Sequence, residues 1–348
     1  MVRMSRRGVT LLVASVGVVG ALLVAALVPV PYVALLPGPT YNTLGPLGHK
    51  PIVAISGHPT FPTDGHLNMV TVSYIGGPGA RPPFNIFAAL QSWLSPHDAV
   101  VPQQELFPAG KTQQQVLKQD TEEMANSQQT ATAAALCQLG IKFGVVDEVS
   151  GTVRGLPAAG VLHGGDQIVA VNGVPVTCRV SAGDLIKAKA AGQKAVLTIK
   201  RHGLLRKLTL RTASYQGQPV IGVNLVESFV FPFKVTISIG NIGGPSAGMM
   251  FALAIIDKLT PANLTGGKFI AGTGEIEVNG NVDPIGGIQQ KMAAARAAGA
   301  TIFLTPASNC ADTAGAVPPG LRLVKVSTLR GALAALSALK AGRPVPGC

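Results

Sequence analysis

Hydropathy along this chain changes period from segment to segment, and each change marks a structural expectation. From Gly8 to Val28 every residue is apolar or small, and no charged side chain stands between Arg7 and Lys50. About 20 such residues suffice to cross the hydrocarbon core of a bilayer. Arg3, Arg6 and Arg7 precede the run. The positive-inside rule therefore predicts a cytosolic N-terminus over 1–7, a transmembrane helix over 8–28, and the remaining chain outside the cytosol. The alternative is a cleaved signal peptide. Its apolar core is usually only about 7–15 residues and ends at a small-x-small site, which Pro29-Val30-Pro31-Tyr32 fits poorly.

Beyond the apolar run, His66 to Tyr74 alternates, with Leu67, Met69, Thr71 and Ser73 on one face, and reads as a strand. Asn85–Leu94 and the Gln-rich stretch Thr112–Leu139 read as helices. Nothing in 29–130 has catalytic spacing, so it reads as a stalk or docking segment. From 131 to 214 a β-rich unit is expected. Around 157–173 a short helix, a Gly164-Gly165-Asp166 turn, a strand and an Asn172-Gly173 turn follow one another, and Val196–Ile199 and Lys207–Arg211 close the unit as strands. The third unit, 220–342, opens with an alternating strand at Val235–Ile239. A loop at 241–245 leads into the apolar run Met249–Ile256, and an alanine-rich helix over Ile288–Ala298 is ended by Gly299. Residues 343–348 form a tail. The fold class is α+β, and 348 residues are ample for two or more domains.

Composition adjusts this picture. With 47% hydrophobic and 13% charged residues, some segment is expected to meet lipid, and the 8–28 run supplies it. The net charge of +12 raises nucleic acid as a partner. The densest basic stretch, Lys200-Arg201-His202 with Arg206, Lys207 and Arg211, flanks Gly203 between strand-like segments and carries no interleaved aromatic residue for base stacking. It reads as a solvated hairpin, so no nucleic-acid partner is expected. Attraction to an anionic lipid surface is the milder reading. The four cysteines, Cys137, Cys178, Cys310 and Cys348, form no CxxC or Cys/His cluster, so no metal is expected. The domain reading separates them into Cys137/Cys178 and Cys310/Cys348, and an oxidising compartment favours pairing within each domain. Four free thiols are the alternative.

The candidate chemistry lies in the third unit. Ser246, in Gly244-Pro245-Ser246-Ala247-Gly248, sits at or near a helix N-terminus, where free backbone N–H groups at Ser246, Ala247 and Gly248 can hold an oxyanion. An isolated Pro-Ser before a helix is otherwise an ordinary N-cap. Lys291, one turn into the later helix after Gly286-Gly287, borders its apolar face; half burial there would lower its pKa and let it act as a base. A solvated lysine is the alternative. All six histidines lie outside this unit, which disfavours a Ser-His-Asp triad. Glu275, Glu277 and Asp283 flank an Asn279-Gly280 turn and are expected to be solvated.

Read together in order, Gly244–Gly248, Ala271-Gly272-Thr273-Gly274-Glu275-Ile276, Asn279–Gly287 and Lys291 resemble the proteolytic domain of the Lon proteases. That resemblance implies Ser246 as nucleophile, Lys291 as general base and Thr273 as an orienting hydroxyl. The segment Gly165-Asp166-Gln167-Ile168-Val169-Ala170-Val171-Asn172-Gly173 is similar to PDZ domains in the bacterial, circularly permuted arrangement, which implies Leu139-Gly140-Ile141 as the carboxylate-binding loop. The whole layout resembles membrane-anchored PDZ–Lon-like proteins of Gram-positive and actinobacterial cells. It departs from Lon in having no Gly-x-x-x-x-Gly-Lys-Ser/Thr phosphate loop, and in having Gly243 where many Lon proteins carry an acidic residue. The implied protein is an ATP-independent membrane serine endopeptidase that needs no cofactor, acts on unstructured or C-terminal protein tails, and is compatible with a ring-like homo-oligomer. The competing class is a non-catalytic, membrane-tethered PDZ scaffold or holdase.

Overall fold

The computed structural model describes residues 6–240 and 242–348; Arg3 and Asn241, which figure in the expectations above, lie outside them. Helix α1, Arg6–Leu27, is apolar throughout with a mean hydropathy of 2.5 and no buried residue. At 1.5 Å per residue its 22 residues span about 33 Å, enough to cross a bilayer. It is the one helix among the described residues long and apolar enough to do so, and a signal sequence has the same character.

The chain then lays down β1 (Tyr32–Asn42), β2 (Val53–Ser56), β3 (His66–Gly76), α2 (Ile86–Leu94), β4 (Ala99–Pro102) and the long α3 (Gln113–Leu139). Asn85 caps α2 by accepting from the Ala88 amide, and its Nδ2 donates to the Ala26 carbonyl at 2.8 Å, tying α2 to the end of α1. Ile86, Phe87, Leu90, Trp93 and Leu94 all remain exposed on α2, Trp93 at 74% and Leu94 at 80%. A capping box starts α3, with Thr112 and Gln115 satisfying each other's backbone, and Gly140 in the left-handed region ends it.

A second sheet follows: β5 (Gly144–Thr152), β6 (Gln167–Val171), α4 (Ala182–Lys187), β7 (Lys194–Arg201), β8 (Leu204–Arg211) and β9 (Val223–Val230). Its path runs β8-β7-β6-β5-β9 with every pairing antiparallel, and β9 lies at the edge. It encloses its own core of Val149, Leu162, Ile168, Leu197, Ile199 and neighbours. The chain returns through β10 (Lys234–Ile237), which pairs with β2, and completes the fold with α5 (Gly248–Leu259), β11 (Phe269–Gly272), β12 (Glu275–Ile276), α6 (Ile288–Ala297), β13 (Ile302–Pro306), β14 (Arg322–Val326) and α7 (Leu329–Lys340).

The first sheet runs β14-β13-β11-β3-β1-β4, parallel from β14 to β3 and antiparallel beyond. Strand alternation sorts its residues onto two faces. Leu67, Met69, Ile270 and Leu304 join the core beneath α3, α5 and α7, while Val70, Ala271 and Phe303 face the other way, with Ile288 and Met292 of α6. The architecture is mixed α/β. It corrects two expectations. The stretch 29–130, read as a stalk, supplies three strands of this sheet, so it is part of the same unit as the 220–342 segment. The β-rich unit is not 131–214: α3 belongs to the main core, and the second sheet, 144–230, is inserted between α3 and β10.

Both expected cysteine pairs are formed. Cys137–Cys178 joins the end of α3 to the loop before α4, and Cys310–Cys348 holds the C-terminal residue to the loop after β13. Each closes a loop of about 40 residues, worth about 4 kcal/mol by chain entropy alone. A non-reduced proteolytic digest is therefore expected to yield two disulfide-linked peptide pairs, 137/178 and 310/348, by mass spectrometry. Quantitative alkylation of all four thiols without reduction is the contrary result.

Candidate active site

Ser246 sits in the turn that feeds α5. The N-cap of α5 is Ala247, with φ −96 and ψ −2 and no side-chain capping bond, so the Ser246 hydroxyl is not spent on the ordinary capping role. Gly244 takes φ 85, the left-handed region that favours glycine, and its amide donates to the Asp120 carbonyl of α3 at 3.0 Å. Ser127 of α3 donates to the Pro245 carbonyl at 2.9 Å. The helix α3 thus holds the turn from one side.

From the other side, the Ser246 carbonyl accepts from Thr273 Oγ1 at 2.9 Å and from the Gly274 amide at 2.8 Å. The Gly274 carbonyl in turn accepts from the Met249 amide at 3.0 Å. Gly248 permits this close approach: a Cβ there would lie 2.8 Å from Ile276 Cγ2. Of the three amides expected to face an oxyanion, Gly248 already donates to the Pro245 carbonyl at 3.2 Å. Among the described residues no acceptor is paired with the amides of Ser246 and Ala247, which leaves those two for an anion.

Lys291 lies in the first turn of α6, entered through Gly287 in the left-handed region. It is 4% exposed, and its Nζ donates to Thr273 Oγ1 at 3.3 Å. Burial lowers its pKa from the usual lysine range to about 8. Among the described residues no carboxylate forms an ion pair with it. The structure therefore brings together Ser246, Thr273 and Lys291: Thr273, itself 1% exposed, accepts from the lysine and donates to the serine backbone. No hydrogen bond joins Lys291 Nζ to the Ser246 hydroxyl. The solvated-lysine alternative does not hold.

Gly243 has a steric cause. A Cβ there would fall 2.6 Å from the Cβ of Asp120, so α3 leaves no room for an acidic side chain at that position. Glu275 also differs from expectation. It is half-buried, and its carboxyl is pushed up first by burial and then by Asp283, Glu123 and Glu277. With Glu123, Asn126, Ser127, Thr130, Pro245 and Ile276 it lines a cavity of about 390 Å³ beside the serine turn.

The expected carboxylate-binding loop does not form at Leu139-Gly140-Ile141. The Gly140 amide donates to the Cys137 and Leu136 carbonyls and the Ile141 amide to Leu136 at 2.9 Å, which closes α3. Leu139 and Ile141 pack against the main core. Sequence reasoning missed a different site. A largely apolar pocket of about 270 Å³ lies between the start of β9 and α4, lined by Tyr215, Val220, Val223, Leu225, Gly183 and Ile186 among others. At its rim the amides of Ile221 and Gly222 have no acceptor among the described residues. The signal available in the sequence was Gly222 directly before the strand-like segment Val223–Val230; its positive φ is seen only in the structure.

Residues 236–335 match the model of the Lon protease (S16) C-terminal proteolytic domain, a span that contains Ser246, Thr273 and Lys291. A Lon protease of Roseiflexus castenholzii is 31% identical over 159 residues, covering 43% of this chain and 19% of that protein. Lon protease 1 of Bacillus subtilis is 29% identical over 175 residues, covering 47% and 22%. The chain spans about a fifth of the length of these curated relatives. Among solved structures, the PDZ domain of an SdrC-like protein from Listeria innocua aligns with 23% of this chain and 92% of its own, at 27% identity and a TM-score of 0.21. The segment that resembles the Lon proteolytic domain is thus the one that carries the serine turn, Thr273 and the buried lysine.

A base with a pKa of about 8 is protonated below that pH and neutral above it. If Lys291 is the general base of a peptidase, kcat/KM is expected to rise about tenfold per unit as pH increases toward 8 and to level off above it. A flat profile between pH 6 and 9, or one with its midpoint near 10, contradicts the assignment.

Proposed function

We propose that this chain is an ATP-independent, membrane-anchored serine endopeptidase with a Ser246–Lys291 dyad. The observation that carries the reading is a lysine 4% exposed, without a carboxylate partner among the described residues, one hydroxyl away from a serine whose own hydroxyl caps nothing. Neutral Lys291 takes the Ser246 proton as Oγ bonds to the substrate carbonyl carbon. The amides of Ser246 and Ala247 receive the oxyanion. The C–N bond breaks as Lys291 returns the proton to the leaving amine, and water hydrolyses the acyl-enzyme by the reverse transfers. Thr273 orients the ammonium. The reaction as written needs no metal or nucleotide.

Helix α1 anchors the enzyme, with the catalytic unit on the outer face of the membrane. The exposed apolar side of α2, tied to the end of α1, supports a lipid surface there, since a patch including Trp93 and Leu94 is costly to leave in water. The second sheet acts as a PDZ-like module whose peptide site is the pocket at Val220–Leu225. One observation favours the competing scaffold reading: the Ser246 hydroxyl and Lys291 are not hydrogen-bonded to each other, although such contacts often tighten only when substrate arrives.

Incubation of the full chain with unfolded casein, without ATP, tests the reading. The parent is expected to cleave, and Ser246→Ala and Lys291→Ala are each expected to lose at least about a thousandfold in rate while keeping the parent's melting temperature within a few degrees. Activity surviving Lys291→Ala sinks the dyad, and no cleavage by the parent favours the scaffold.

A further inference from the structure

Three cavities that look separate share walls. The apolar pocket at Val220–Leu225 ends on Leu225 of β9. A second cavity, about 570 Å³, starts at Leu225, follows β9 to Phe229, and has Asn126 and Thr130 of α3 as its opposite wall. The cavity beside the serine turn begins at the same Asn126 and Thr130 and ends at Pro245. The strand between them, β9, lies at the edge of its sheet, so its outward backbone groups are free to pair with an added strand.

We propose that these form one continuous track, in which a substrate tail is held by its C-terminal carboxylate and cleaved at a fixed distance upstream. The proposal rests on the peptidase reading above. The unspent amides of Ile221 and Gly222 receive the carboxylate, and the apolar pocket takes the last side chain. A chain that ends at Val223 can extend only along β9 toward Val230, antiparallel to it. That direction carries it past Thr130 and Asn126 to Pro245 and Ser246. About four residues at 3.3 Å cover the strand as far as Glu227, and about two turns of α3, roughly 11 Å, separate Thr130 from Glu123, a span of about three more extended residues, so the scissile bond falls roughly 7–8 residues from the C-terminus.

Charge identifies the occupant further. The chain carries +12 overall, yet three carboxylates, Glu227, Glu123 and Glu275, line the track against one cation, Lys187 at the pocket end, and Asp184 and Glu277 join Lys187 on the cavity that flanks it. The tail that fits is extended, apolar at its last residue and basic in the middle.

The test uses the full chain in bilayer nanodiscs and synthetic tails that share an apolar last residue and a free carboxylate but differ in the length and sequence of their N-terminal part. Mass spectrometry reads the cut, with casein beside them. Expected is a C-terminal product of one length across the series, with kcat/KM reduced at least about tenfold by C-terminal amidation and by exchange of the basic residues for Glu. Binding of a fluorescent tail to Ser246→Ala is expected to weaken by a similar factor on amidation, and also on Gly183→Phe, which fills the pocket where a Cβ meets only Ser181 Oγ at 3.5 Å. Casein cleavage with tail cuts that follow sequence or the N-terminus, or that ignore amidation, overturns the track and leaves the peptidase standing. No cleavage of casein or of any tail overturns both.

Discussion

One carbonyl oxygen, that of Ser246, holds the candidate site together. It accepts from Thr273 Oγ1 and from the Gly274 amide, so the turn carrying the serine is fixed to the end of β11. Because Thr273 spends its proton on that carbonyl, its oxygen is left to accept from Lys291. The lysine is thereby held without a carboxylate, in a place where burial opposes its charge. An acidic partner here would restore the charged form and remove the base. The steric exclusion of a side chain at Gly243, imposed by Asp120, keeps that position of the serine turn free of a carboxylate.

The insertion of the second sheet gives the architecture its functional shape. The chain leaves the main unit at the end of α3, where Gly140 turns it and Cys137 ties it to Cys178. It re-enters through β10, whose pairing with β2 restores the main fold just before the serine turn. Helix α3 therefore has two duties. Its Asp120 carbonyl and Ser127 hydroxyl brace the turn, and its Asn126 and Thr130 face β9 of the inserted sheet. Under the proposed function, one helix bearing both contacts couples recognition to chemistry through geometry alone.

The sequence was legible where structure is local. The alternation at His66–Tyr74, the helices read over Asn85–Leu94 and Thr112–Leu139, the apolar run after Ser246 and the Gly-bounded helix of Lys291 all became the elements expected, and both cysteine pairs formed. What failed was non-local. Strand β3 pairs in parallel with β11, His66 opposite Phe269, and so distant a pairing leaves no trace in either segment. The stretch 29–130 therefore looked like a stalk. Leu139-Gly140-Ile141 misled for another reason: a glycine between apolar residues describes a helix C-cap as well as an anion-binding loop, and only the bonds made by its amides distinguish them.

The central claim is that a buried, neutral Lys291 activates Ser246. It is tested most directly by treating the full chain with a peptidyl acylating reagent and mapping the adduct by mass spectrometry. The account predicts a single adduct on the peptide containing Ser246, formed by the parent and lost in Lys291→Met, a variant of similar volume without a base. An adduct at another residue, or one that forms on Ser246 equally well without Lys291, would contradict it.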